Sequence, residues 1–220
     1  MTKQKQIFLE SEGDAWYRRN REALASRSIG ADDPIIAELL GIPLDESRPA
    51  KILEVGCGGG ERLAWIGDTI GADAYGIEPS AKAVEVACSR GVKAQQGTAD
   101  RLPYDDESFD MVVFGFCLYL CDAADLFSIA AEAHRVLKSE SWLLLHDFFS
   151  PTPIRRAYHH RPGIEVRKMD YRNLFAWHPE YVCVSHKVRH HDALEYTDEP
   201  GQWVATSVLR RRPGLEPLVD

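Results

Sequence analysis

Cysteine is scarce in this chain: Cys57, Cys88, Cys117, Cys121 and Cys183 are five among 220 residues and contain no C-x-x-C pair. An odd set without that spacing argues against a disulfide framework and for free thiols in a reducing compartment. Cys117 and Cys121 are four apart with no further ligand at metal-site spacing, and adjacent histidines such as His159-His160 and His190-His191 diverge in an extended chain. No metal centre is expected. Long apolar runs are missing too. The longest, Met111 to Cys121, has 11 residues, roughly half of what a membrane-spanning helix needs. Met1 to Gln6 leads into no signal-peptide core, so a cytoplasmic chain with no membrane partner is the expectation.

A basic stripe is a further absence. Residues 1–150 carry 15 basic and 25 acidic side chains; residues 151–220 carry 11 and 9, with six of the eight histidines. The acidic part could not neutralise a phosphate backbone, so nucleic acid is not an expected partner. The C-terminal Arg and His excess suits an anionic small substrate, and solvated surface equally well. No internal repeat or low-complexity segment occurs. Apolar content of 45% and charge of 27% describe an ordinary globule, long enough for one domain with a large core.

What is present is a short apolar run, Ile52 to Val55, that breaks into Gly56, Gly58, Gly59 and Gly60. Leu63, Ile66 and Ile70 then recur at helical spacing. Strand, glycine turn, helix is the nucleotide-binding arrangement of open α/β sheets. A dinucleotide fingerprint would need a third glycine where Glu61 stands, and a Walker loop would need Gly-Lys-Ser/Thr. A carboxylate at that helix start opposes phosphate. A ligand without phosphates fits better. Twenty residues beyond Gly58, a second strand closes on Glu78, followed by Pro79 and Ser80. An acid there is placed to accept hydrogen bonds from ribose hydroxyls.

Glu54, Gly56, Gly58 and Gly60, then Glu78, then Gly97 to Tyr104 and Asp106 to Val113, make the chain resemble the class I S-adenosylmethionine (SAM) dependent methyltransferases over about residues 50–148. The resemblance implies SAM as cofactor and S-adenosylhomocysteine (SAH) as product. It implies Glu54, Gly56, Cys57, Gly58 and Gly60 around the amino-acid end, Glu78 and Pro79 at the ribose, and Thr98 and Ala99 at the adenine. Phe116 to Tyr119 would face the methionine part. Two positions depart from the family pattern: Thr98 stands for the usual Asp, and Lys138 to Ser141 lacks the usual turn glycine.

Periodicity places helices near 14–26, 33–41, 61–70, 80–89 and 122–137, the last capped by Asp122. Strands are expected at 51–55, 73–77, 92–96, 109–115 and 141–147, then 181–188 and 203–210. The fold class is therefore α/β, a Rossmann-like doubly wound sheet with helices on both faces; the resemblance adds an antiparallel C-terminal strand. A single domain of 1–220 is expected, with a helical cap (1–45), a SAM-binding core (50–148), an irregular substrate-side insertion (149–180) and C-terminal strands (181–212).

Candidate catalytic groups are His146 and Asp147 at the end of the fifth strand, His159, His160 and His178 in the insertion, and Tyr119 as a wall or hydrogen-bond donor. The segment Glu12 to Asn20 resembles the leading helix of small bacterial methyltransferases. There Trp16 and Tyr17 would cover SAM while Arg19 or Asn20 meets its carboxylate; an amphipathic helix packed on the sheet is the equal alternative. The acceptor is expected to be a small molecule, with a hydroxyl of an anionic sugar or glycan precursor as first choice. A homodimer is compatible with this reading. Two other functions stay open: an NAD(P)-dependent oxidoreductase and a non-catalytic SAM-binding protein.

Overall fold

The computed structural model describes residues 3–26, 29–45, 47–193 and 195–212; Met1, Thr2 and 213–220 of the expected single unit lie outside the described residues. The strands are β1 (Lys51–Val55), β2 (Asp73–Glu78), β3 (Lys93–Gln96), β4 (Phe109–Gly115), β5 (Leu137–Phe148), β6 (Ile154–Ala157), β7 (Glu165–Lys168), β8 (Tyr181–His190) and β9 (Trp203–Arg211). Seven of them form one sheet in the order β3-β2-β1-β4-β5-β9-β8. β1 to β5 pair in parallel, and β9 runs antiparallel to both β5 and β8.

Side chains along each central strand alternate between two cores, as the pleat requires. Leu53, Val55, Val112, Phe114, Leu143 and Leu145 join one core with the apolar stripe of α6 (Leu126–Val136). Ile52, Met111, Val113 and Leu144 join the other, against α3 (Pro34–Leu39) and α4 (Glu61–Ile70). Helices on both faces leave the strand ends as the accessible rim. No helix of the described residues is long and apolar enough to cross a membrane.

Four local readings differ. The leading helix starts ten residues before its expected position, as α1 (Gln4–Ile7), a π-helical turn at Phe8–Glu12, and α2 (Gly13–Ala25). Gly13 does not open it but lies inside it, because a Cβ there would come within 2.7 Å of the Phe8 carbonyl oxygen and 3.0 Å of the Ser80 nitrogen. Asp122 does not cap α6, which begins after a 3-10 turn at Ala123–Asp125; its carboxylate accepts the Lys5 N–H at 3.2 Å. The insertion is not irregular throughout. It carries the antiparallel ribbon β6–β7. The glycine-free stretch Lys138 to Ser141 is not a turn ahead of the fifth strand but part of β5, at a register shift against β4, and Glu140 there takes a left-handed φ of 56°. By contrast α3 and α5 (Ala81–Ser89) start where their caps require: Asp33 accepts from Ile35 and Ile36, and Ser80 accepts from Ala83 at 3.1 Å.

Candidate active site

The chain reverses direction across the sheet between β1 and β4, and the crevice beyond their carboxyl ends is where open α/β sheets bind ligands. A cavity of about 600 Å³ lies there, within the range of small-molecule sites. Its floor is the turn after β1. Gly56 has φ 77°, and a Cβ on it would sit 2.5 Å from the Cβ of Cys117, so only glycine permits the β1 and β4 turns to touch. Gly60, also left-handed, packs on Ala87 of α5 and does not line the cavity.

Two carboxylates are buried at this floor. Glu78 accepts the Gly58 N–H at 3.1 Å on one oxygen and the Ser80 N–H at 3.0 Å on the other, so each oxygen keeps acceptor capacity toward the cavity. Burial nevertheless pushes its pKa up to about 7. Glu54 pairs with Arg62, which also bonds Asp33 at 3.1 Å. Burial raises the Glu54 pKa while Arg62 pulls against it. The cation of α4 is thus consumed by two acids. At the start of α4, Glu61 faces Arg90 at 3.2 Å. Among the described residues, Arg62 and Arg90, the cations at this helix start, are both paired with acids, which leaves neither free for a pyrophosphate.

The leading helix crosses the cavity and is docked on both sides. Asp14 accepts from the Ser80 hydroxyl at 2.7 Å and the Lys82 N–H at 3.2 Å. Gln4 exchanges hydrogen bonds with the Glu165 backbone of β7, donating at 3.1 Å and accepting at 2.6 Å. Trp16 and Asn20 line the cavity; Tyr17 and Arg19 do not. Tyr17 is buried over the glycine turn from outside, and Arg19 is occupied by Glu12 and by the Tyr158 hydroxyl at 3.0 Å. Thr98, Ala99 and Pro79 line the cavity together with Asp100, whose carboxylate pairs with Lys5.

The opposite wall is aromatic. Phe116, Tyr119 and Phe148 pack edge to face, with centroids 4.8 to 5.4 Å apart. Phe116 holds a φ of 66°, a conformation that strains a bulky residue by about 1–3 kcal/mol. Asp147 maintains that turn: its buried carboxylate accepts N–H groups of Leu118 at 2.7 Å, Tyr119 at 3.3 Å and Phe148 at 2.7 Å. Burial pushes Asp147 up to about 7 and pushes the Tyr119 phenol higher still above its ordinary value, so Tyr119 remains protonated. His159 and His160 reach the cavity, and partial burial, then Arg19 and His159, lower the His160 pKa.

Three expected catalytic groups fall elsewhere. Asp147 turns under the wall and is not among the cavity-lining residues. His146 alternates to the other face of β5, where it meets Thr206 at 2.8 Å. His178 packs on His134 and Tyr181 beyond α6. There His134, His178 and Glu180 bring possible metal ligands within 4.8 Å of one another, but Arg211 holds Glu180 at 2.8 Å and would repel a second cation. Sequence reasoning missed Arg156 and Lys168, which line the cavity. No alternation marked them, since Arg156 follows Arg155 and Lys168 follows Arg167.

A family model described as a methyltransferase domain matches residues 53–145. An uncharacterized methyltransferase of Synechocystis is 31% identical over 134 residues, covering 59% of this chain and 61% of that protein. A demethylmenaquinone methyltransferase of Chlorobaculum tepidum is 33% identical over 116 residues, covering 50% and 47%. The chain thus spans about half the length of the curated relatives it matches. Among solved structures, the Burkholderia thailandensis 1,6-didemethyltoxoflavin-N1-methyltransferase with bound SAH superposes with a TM-score of 0.70 at 17% identity, over 94% of this chain and 89% of that one. The structure of a Haloferax volcanii putative methyltransferase in complex with the Trm112 activator gives 0.70 at 16% identity, over 95% and 100%. At those identities the likeness is one of fold.

Proposed function

We propose that the chain, whose residues 53–145 match a methyltransferase domain, is a class I SAM-dependent methyltransferase that transfers a methyl group from SAM to a small-molecule acceptor. The observation that carries this reading is the buried Glu78 carboxylate, facing a cavity whose helix start carries Glu61 rather than phosphate-binding charge. Glu78 and Pro79 would hold the ribose, and Thr98 and Ala99 the adenine. Gly56, Cys57, Gly58 and Glu54 would hold the amino-acid end, with Asn20 and Trp16 covering it. Bound there, SAM supplies a methyl carbon activated by a positive sulfur. The chain's own residues then act mainly by orientation, since Phe116, Tyr119 and Phe148 form a rigid wall that excludes water.

The finer reading is a hydroxyl on an anionic sugar as acceptor. A hydroxyl must lose its proton, and His159 and His160 are the histidines that line the cavity. The lowered His160 pKa keeps that ring neutral and able to accept a proton at neutral pH. Free cysteines suit the expected cytoplasmic setting. Calorimetric titration with SAH, beside a fluorescence titration with NADH, tests the assignment. Saturable SAH binding without NADH binding is the expected result; the reverse would make the chain a dinucleotide protein.

A further inference from the structure

The ribbon β6–β7 has two unlike faces. Pairing of Ile154 with Lys168 and of Arg156 with Val166 puts Arg156 and Lys168 on one face, while Arg155, Glu165 and Arg167 share the other. On the outer face both arginines have an anionic partner: Glu165 lies 3.3 Å from Arg155 and 3.1 Å from Arg167. Arg156, Val166 and Lys168 line the cavity. Among the described residues, neither Arg156 nor Lys168 has a carboxylate within ion-pair distance. Lys168 donates one hydrogen bond, to the Gly201 carbonyl at 2.6 Å, and its nitrogen lies 3.9 Å from the centre of the Phe148 ring. An ammonium has three N–H groups, so two remain for a ligand. Burial, and then the nearby Arg156 guanidinium, lower the Lys168 pKa, with the Asp147 carboxylate pulling the other way.

The cavity is therefore polarised. Glu54, Glu78 and Asp100 line the end assigned to a cationic cofactor, and Arg156 and Lys168 line the end beside the aromatic wall. We propose that Arg156 and Lys168 form an anion subsite that binds a carboxylate or phosphate group of the methyl acceptor. Phe116, Tyr119 and Phe148 receive the acceptor's apolar face. This subsite rests on the reading of the same cavity as a SAM site. It selects acceptors by charge, because a neutral analogue leaves two like cations facing each other in a partly desolvated cavity.

The test uses full-length protein saturated with SAH and two probes differing by one carboxylate, 4-nitrophenyl glucuronide and 4-nitrophenyl glucoside, with phenyl phosphate as an anion lacking the sugar. Calorimetry should show the glucuronide binding about tenfold more tightly than the glucoside, as one charge-assisted contact allows. That advantage should disappear in the double variant Arg156→Ala, Lys168→Met and persist in Arg155→Ala, on the outer face of the same ribbon. Phenyl phosphate binding that is lost in the double variant assigns the subsite to any such anion; phosphate binding alone, without the glucuronide advantage, restricts it to phosphates. Equal affinities for glucuronide and glucoside with no phosphate binding, an advantage that survives the double variant, or no binding of any probe would overturn the proposal. A fall in SAH affinity in the double variant would overturn it too, assigning the cations to the cofactor's own carboxylate. Failure of the wild-type protein to bind SAH would instead remove the underlying SAM reading.

Discussion

Glu78 makes SAM binding dependent on pH in a way the structure specifies. Burial raises its pKa to about 7 from an ordinary 4.5. A carboxyl raised in this way stabilises the ligand-free fold below its unfolded value, and that contribution is lost as pH rises through about 7. Ribose hydroxyls reverse the preference, because they donate to the carboxylate and stabilise its charged form. Binding at pH 6 must therefore expel a proton. With a pKa near 7, the ionised fraction falls about tenfold between pH 8 and pH 6, and the apparent SAH affinity should weaken by about the same factor. Substitution by Gln removes this titration; substitution by Ala also removes two charged hydrogen bonds of roughly 1.5–3 kcal/mol each and should weaken binding at least about tenfold at pH 8. Calorimetry in buffers of differing ionisation enthalpy reads both the affinity and the released proton. Glu54, which burial also raises to about 7, titrates in the same range, so the decisive quantity is the part of the slope that Glu78→Gln abolishes. An unchanged slope in that variant, or SAH affinity retained in Glu78→Ala, would refute the ribose assignment.

Arg62→Met leaves Glu54 and Asp33 buried without their cation, and chemical denaturation should show a loss of about 3–5 kcal/mol, the usual cost of breaking a buried pair. Asp147→Ala releases the N–H groups of Leu118, Tyr119 and Phe148. Each orphaned donor costs about 1–3 kcal/mol if it stays buried, so a marked fall in Tm is expected, with weaker acceptor binding as the Phe116 turn relaxes. Trp16→Ala should raise the SAH dissociation rate in stopped-flow, since Trp16 lies in the docked helix and lines the cavity. An unchanged rate would return that helix to a purely structural role.

The sheet was legible because its signals are local and redundant: short apolar runs in β1 and β4, glycines after β1, and Ser80 and Asp33 at helix starts. The floor of the site followed, since Glu54, Gly56, Gly58 and Glu78 sit where strands end, and strand ends are fixed by register. Failures occurred where one residue had two plausible environments. The leading helix was expected only from residue 14, because the close approach of Gly13 to Ser80 is a tertiary contact. His146 and Asp147 are neighbours on β5, so they face opposite sides, and neither lines the cavity. Arg19 looked like a carboxylate ligand, but Glu12, seven residues earlier, claims it across the π turn. Arg156 and Lys168 were hidden because adjacent cations in a four-residue strand resemble solvated surface until the pairing shows which of them share a face.

The account stands on a phosphate-free adenosyl ligand seated against Glu78, and diffraction from crystals grown with SAH examines that contact directly. The predicted map shows both ribose hydroxyls on the Glu78 carboxylate and the adenine beside Thr98 and Ala99. An adenosyl group placed elsewhere, or one bound with its sugar away from Glu78, would contradict it.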